Sequence, residues 1–270
     1  MSAFYPLIAN KRAECQFQQL AQKLGYELDS CWVDGYVNYE WDHSRLVFEH
    51  LSIPILGQDV LEFGCNMGAT AIILALMKAQ VTAIDVNPEC IQLTKLNAAK
   101  YGVESLVRCL HVPDTCCLPF PNETFDRVVC NSVLEYVPWD ILNKVQGEID
   151  RVLRPGGEII ILGTSSRLWP KEVHSNRWFV NWIPCSFDKF FATPPQRGLS
   201  PWRVRYGFGP GYENVDLFNR GQEYLNSRKT MGISPWKYKL LFFASLVARF
   251  CGTSLGLLAP NIAVRLRKNF

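Results

Sequence analysis

The chain has 270 residues, 48% of them hydrophobic, with 28 Lys plus Arg against 25 Asp plus Glu and a formal net charge of +3. This is enough apolar material for one large domain with a full core, and the near-balance of charge gives no reason to expect nucleic acid or an acidic polymer as partner. The ten cysteines form no CxxC or Cys/His ligand spacing, which argues against a zinc or disulfide framework and predicts reduced, buried thiols.

In chain order, the first residues lack a basic stretch followed by an apolar run, so no signal peptide is expected. Residues 11–24 read as an amphipathic helix with Phe17, Leu20, Ala21 and Leu24 on one face, ended by Gly25. The segment 26–41 is dense in aromatics (Tyr26, Trp32, Tyr36, Tyr39, Trp41). It reads either as a hydrophobic cap on a sheet or as a lid whose aromatic faces meet a cation. A helix over 42–51 leads into the first strand.

From 58 the pattern alternates. Strands are predicted over 58–63, 81–85, 105–112, 124–131 and 158–163. Helices are predicted over 69–79, 88–101 and 138–153. Asn87 caps the second of these, Pro88 occupies its first position and Gly102 stops it. Nearly continuous apolar strands between helices predict a parallel sheet covered on both faces. Residues 164–236 break this rhythm and are rich in Trp, Pro, Gly and Arg, as a lid or binding insertion would be. The segment 240–259 has a clean apolar core only over 240–248, too short for a span, and suits a buried or interfacial helix. Residues 261–268 mix apolar and basic side chains, alternating from Val264 on, and suit an edge strand returning to the sheet.

The turn between the first strand and helix carries the chemistry. Gly64 and Gly68 stand four residues apart, with Asn66 between them where a third glycine is often found; Asn tolerates a left-handed backbone better than most residues. A strand that breaks into such a turn and re-enters a helix brings backbone N–H groups close to a ligand. Asp85 closes the second strand 21 residues after Gly64, where a carboxylate can accept from ribose hydroxyls. Together they point to an adenosine-type ligand without saying which.

Four stretches in order carry a resemblance to a known family. They are Leu61-Glu62-Phe63-Gly64-Cys65-Asn66-Met67-Gly68, Ala83-Ile84-Asp85-Val86-Asn87, the run from Pro113 through Leu118-Pro119-Phe120 to Phe125-Asp126, and Arg151-Val152-Leu153-Arg154-Pro155-Gly156-Gly157. With these the chain resembles the class I S-adenosylmethionine-dependent methyltransferases, in the group that includes the ubiquinone and sterol methyltransferases. The resemblance implies an α/β Rossmann-like doubly wound sheet, mostly parallel with an antiparallel C-terminal edge strand, plus a lid insertion. The expected organisation is an N-terminal helical and aromatic cap (1–57), a cofactor-binding core (58–163), a lid and acceptor-binding insertion (164–260) and a strand returning to the sheet (261–270).

The cofactor implied is S-adenosyl-L-methionine. By resemblance Glu62 and the backbone of Gly64, Cys65, Asn66 and Gly68 hold its methionine part, Asp85 its ribose, and Val86, Asp114 and Thr115 its adenine. Asn131 lines the pocket near the methyl group. Asn66 departs from the family's usual glycine. No metal is expected.

Methyl transfer needs a general base only where the acceptor is a hydroxyl, a phenol or a protonated amine. Among the histidines, His174 in the insertion is the preferred candidate base, then His43 beside the aromatic segment; Glu135 and Tyr136 lie near the expected methyl position. The acceptor is expected to be small and largely apolar, a natural product, quinone or lipid methylated on O, N or C. The insertion would give it aromatic walls, and 240–259 either a tunnel or a peripheral membrane contact. The alternative is a non-catalytic binding or scaffolding protein that kept the fold. The expected location is cytoplasmic or membrane-associated, and the oligomeric state stays open.

Overall fold

A computed structural model describes residues 5–193, 195–218 and 221–270. Helix α1 (Lys11–Lys23) starts where the Asn10 side chain accepts from the N–H groups of Arg12 and Ala13, and it buries Phe17 and Ala21. The aromatic segment folds into α2 (Tyr36–Asp42), followed by α3 (Ser44–Phe48). Then come β1 (Asp59–Phe63), α4 (Ala69–Leu76), β2 (Gln80–Asp85), α5 (Pro88–Lys100), β3 (Val107–His111), β4 (Phe125–Asn131), α6 (Leu142–Val152) and β5 (Leu153–Ser165). The insertion contributes α7 (Pro201–Tyr206), β6 (Tyr212–Asn214), α8 (Val215–Phe218) and α9 (Gln222–Thr230). Helices α10 (Pro235–Phe250) and α11 (Leu255–Leu258) precede β7 (Asn261–Lys268).

The strands form one sheet in the order β3-β2-β1-β4-β5-β7-β6. The first five are mutually parallel, and β7 runs antiparallel to both of its neighbours. This is the Rossmann-like doubly wound sheet with an antiparallel C-terminal strand. The three-residue β6 adds outside β7 and is too short to show as a strand in the sequence.

Alternate residues of each strand feed two cores, as the two-residue side-chain period requires. Leu61, Phe63, Val128, Cys130, Ile159 and Ile161 pack on one face with Leu142, Val145, Ile149 and Val152 of α6. Val60, Val81, Ala83, Val129 and Ile160 pack on the other with α4, buried from Ala69 to Ala75, and with Ile91 and Ala98 of α5. The predicted helix over 138–153 begins only at Leu142, and the strand predicted from 158 starts earlier, with Leu153 to Gly157 forming the first part of β5. Of the described cysteines Cys65, Cys90 and Cys130 are buried, but Cys15, Cys31, Cys117 and Cys251 are exposed, against the expectation of buried thiols.

Sheet order reverses between β1 and β4, one leading outward to β2 and the other to β5. Such a switch point opens a crevice beyond the carboxyl ends of the strands. The 64–68 turn, Asp85 and Asn131 are all at those ends.

Candidate active site

A cavity of about 1120 Å³ occupies the crevice. Its floor is the turn after β1. Gly64 (φ 75°), Asn66 (φ 49°) and Gly68 (φ 79°) are all left-handed, so Asn66 takes the conformation that its side chain tolerates better than most. A Cβ on Gly64 would come within 2.2 Å of Val133, and one on Gly68 within 2.4 Å of Thr94. The turn needs glycine there for packing as well as for φ.

The donors of this turn are largely used inside the fold. The N–H groups of Gly64 and Cys65 both donate to Ile84 O at 2.9 Å, Gly68 N–H donates to Cys65 O, and Asn66 N–H donates to Asp85 Oδ2 at 2.9 Å. The turn therefore offers the cavity close-approaching backbone rather than the free donors expected. Asp85 Oδ1 accepts from Asn87 N–H at 2.9 Å. Each oxygen of a carboxylate accepts more than one bond, so Asp85 fixes the turn and keeps lone pairs for a ligand.

Beneath the turn lie two buried acids. Glu62, from β1, is 2% exposed. It accepts from Thr70 and from Ala71 N–H, yet its Oε2 is buried without a partner. Asn131 Nδ2 donates to Thr70 Oγ1 at 3.0 Å and also reaches Glu40, which Ser44 Oγ holds from the other side. Burial pushes the Glu62 carboxyl well above the usual range, and the nearby Glu40 pushes it further. Burial likewise raises Glu40. Two desolvated carboxylates on one network make a place where a cation is favoured. The orphaned oxygen thus fits the cationic methionine end of an adenosyl sulfonium.

The cavity also brings Cys65, Val86, Thr115, His43 and His174 to its wall. Val86 is 55% exposed, which leaves apolar surface open to the cavity. Two sequence-predicted residues are not on the wall. Gly68 packs under Thr94, and Asp114 is exposed, with its Oδ1 accepting from Cys116 N–H at 2.9 Å, so it caps its own turn.

His174 and His43 differ sharply. His174 Nε2 lies 2.9 Å from Glu135 Oε1, and the Glu135 side chain is wholly buried. Glu135 Oε1 also accepts from Ser165 N–H, and the backbone N–H groups of His174 and Ser175 donate to the buried Glu172, so the loop is held at both ends. Burial alone would lower the His174 pKa, but the hydrogen bond and charge of Glu135, with Glu172 and Gly163, outweigh it and raise the value. A buried carboxylate behind a wall histidine orients the ring and strengthens it as a base. His43 has no such partner: its Nδ1 is 2.7 Å from Tyr39 O and its ring stacks on Tyr39 at 4.1 Å.

The aromatic walls come from the 26–41 segment, as its reading as a lid expects, and from Tyr136, rather than from the tryptophans of the insertion. Trp32, Tyr36, Tyr39 and Tyr136 line the cavity, while Trp169, Trp178, Trp182, Trp202 and Trp236 do not and are 45–64% exposed. The insertion reaches the cavity through Val173, His174, Asn176, Arg228 and Met231, and no residue of 240–259 lines it, which removes the tunnel. The segment 26–41 serves both readings: Val37 and Trp41 pack against the core beside α4, and Trp32 and Tyr39 cover the crevice. Sequence reasoning missed Glu40 and Arg228. An acid inside an aromatic run was the one available sign for Glu40. Among the described residues no cluster of His, Cys, Asp and Glu could hold a metal ion.

A family model described as "Methyltransferase domain" matches residues 61–161. The ubiquinone biosynthesis O-methyltransferase of Chromobacterium violaceum is 28% identical over 212 residues, which covers 74% of this chain and 86% of that protein. The sterol 4-C-methyltransferase strm-1 of Caenorhabditis elegans is 33% identical over 102 residues, covering 37% of this chain and only 29% of that protein. Among solved structures, the [4+2]-cyclase SpnF superimposes with a TM-score of 0.52 at 19% identity, over 90% of this chain and 85% of that one, a likeness of fold.

Proposed function

We propose that the chain, which matches a methyltransferase domain model over residues 61–161 and is 28% identical to a ubiquinone biosynthesis O-methyltransferase, is an S-adenosylmethionine-dependent methyltransferase that methylates a hydroxyl of a small, largely apolar acceptor such as a quinol or a phenolic natural product. The cofactor supplies a methyl group already activated by the positive sulfur, so the protein's work is to hold, orient and deprotonate. Glu62, with Glu40 behind it, would hold the cationic methionine end, Asp85 the ribose and Val86 with Thr115 the adenine. The walls of Trp32, Tyr36, Tyr39 and Tyr136 would exclude water from the acceptor and fix it in attack geometry, which is worth ~7–11 kcal/mol in favourable cases.

The observation that carries the choice of a hydroxyl is the His174–Glu135 pair on the wall of the same cavity as Asp85 and Glu62. A sulfonium needs no acid to accept electrons, so a buried histidine–carboxylate pair is useful chiefly for taking a proton from the acceptor. The named activity of the Chromobacterium violaceum relative, an O-methyltransferase of ubiquinone biosynthesis, supports the same class.

The test is transfer of labelled methyl from the cofactor to a panel of catechols, hydroquinones, amines and sterols. The reading expects label on oxygen in the phenolic acceptors and its loss in His174→Ala. Label only on carbon or nitrogen, or transfer indifferent to His174→Ala, would overturn it.

A further inference from the structure

Helix α10 presents its apolar side to solvent. Ser245 and Ala248 face the protein and are buried, whereas Trp236, Leu240, Phe243, Val247 and Phe250 are 64, 59, 64, 49 and 95% exposed. Those five recur at intervals of four and three residues, which sets them in one stripe along the helix. A soluble surface helix turns such a stripe to its core. Exposed apolar side chains so aligned mark an interaction face.

The charges around the stripe say what covers it. Helix α10 contains Lys237, Lys239 and Arg249 and no acidic residue. Lys239 lies on the stripe's own side near Trp236, where a long stem can lie along apolar surface and leave its ammonium at the boundary. Tryptophan and basic residues beside an apolar stripe, without acids, are the pattern of a helix lying in the interface of an anionic bilayer. Among the described residues no helix is long and apolar enough to cross a membrane, so the helix would lie on the surface rather than span it.

The stripe is tied to the cavity. Gly221, which precedes α9, approaches α10 so closely that a Cβ there would come within 2.5 Å of Ser245 Oγ. Helix α9 carries Arg228 onto the cavity wall, and Met231 follows at its end. One short helix thus separates the exposed stripe from the acceptor's side of the crevice.

We propose that α10 seats this stripe in the headgroup–acyl boundary of an anionic lipid membrane and so holds the cavity at the surface from which an apolar acceptor enters. The part about the acceptor rests on the methyl-transfer reading; the membrane contact does not. The experiment is flotation of the full chain with vesicles of phosphatidylcholine alone, or of phosphatidylcholine mixed with an equal part of phosphatidylglycerol, alongside titration with S-adenosylhomocysteine. The wild type should float with the anionic vesicles, and less so as salt is raised. The double variant Leu240→Glu/Phe243→Glu should lose partitioning by about tenfold or more while keeping its affinity for S-adenosylhomocysteine, which shows that it folds.

Wild-type protein that stays soluble beside anionic vesicles overturns the proposal. So does a lipid-free dimer, seen by light scattering, that the same two substitutions convert to monomer, because the stripe is then a self-interface. Flotation without S-adenosylhomocysteine binding upholds the membrane contact and removes the methyltransferase reading instead.

Discussion

Glu62 and Glu40 make the strongest demand of any residues in the site. Both are buried, both carboxyls are raised, and the Oε2 of Glu62 has no partner. A carboxyl whose folded pKa lies above its ordinary value of 4.5 holds a proton that the unfolded chain has released, so its burial costs more stability as pH rises through that window. A bound cation reverses the preference and favours the ionised form. Binding of S-adenosylmethionine should therefore release protons, and affinity should rise with pH up to the raised pKa. Titration in two buffers of different ionisation enthalpy measures this, and Glu62→Gln should abolish the difference. Equal apparent enthalpies in both buffers for the wild type would refute it.

His174 carries a prediction of the opposite kind. Its pKa is raised above 6.5, so the neutral, base-competent form appears only above that raised value. kcat should fall as pH drops through a midpoint higher than that of an ordinary histidine. By the same linkage, the stability His174 contributes is complete below its unfolded pKa and is lost as pH rises through the folded one. Glu135→Gln removes the partner's charge and leaves burial, which lowers the pKa, so the acid limb should move to lower pH. His174→Ala should cost about 10²–10⁴ in kcat with little change in cofactor affinity. A limb that stays in place in Glu135→Gln would show that the pair does not set it.

At the level of elements, the sheet is pinned opposite the site by a ladder of charge. Glu158 on β5 faces Arg127 of β4 and Arg267 of β7 in register. Its carboxylate lies 3.0 Å from Arg127 Nη1, 2.8 Å from Arg267 Nη2 and 3.6 Å from Arg265 Nη1, and Glu158 and Arg127 are each 2% exposed. Burial pulls the Arg127 pKa down, and the charge of Glu158 acts against that pull. Glu158→Gln would leave buried guanidinium charge uncompensated, at a cost of ~3–5 kcal/mol. Urea unfolding should show it as a lower midpoint with an unchanged slope, and a loss within error would mean that the arginines find other partners.

The alternation of strand and helix from 58 to 163 was legible because each element is local: a period of two or of 3.6, a cap at Asn87, a stop at Gly102. Helix α10 was legible as apolar but not in the side it presents, because that depends on which neighbours pack against Ser245 and Ala248. The three residues of β6 carry no period at all and pair only because β7 offers an edge.

For the whole molecule, the same division holds within the site. The turn at 64–68 and Asp85 could be read because they stand on consecutive strands at a fixed separation. The His174–Glu135 contact closes a loop of 39 residues, and Glu40 reaches Asn131 from before the first strand, so neither pairing is written in any spacing. The tryptophans of the insertion misled for the opposite reason. Composition marked them as walls, but the fold turns Trp178 and Trp182 outward and gives the wall to Trp32 and Tyr39.

The crevice at the switch point of the sheet is the common premise of the expectations for Glu62, His174 and Asp85. Its most direct test is calorimetric titration of S-adenosylhomocysteine into the wild-type chain and into Asp85→Ala. Saturable binding at one site per chain is predicted, weakened by ~1–3 kcal/mol in the variant through loss of a charged acceptor. A folded wild type that takes up no ligand, or a variant that binds it equally well, would contradict the account.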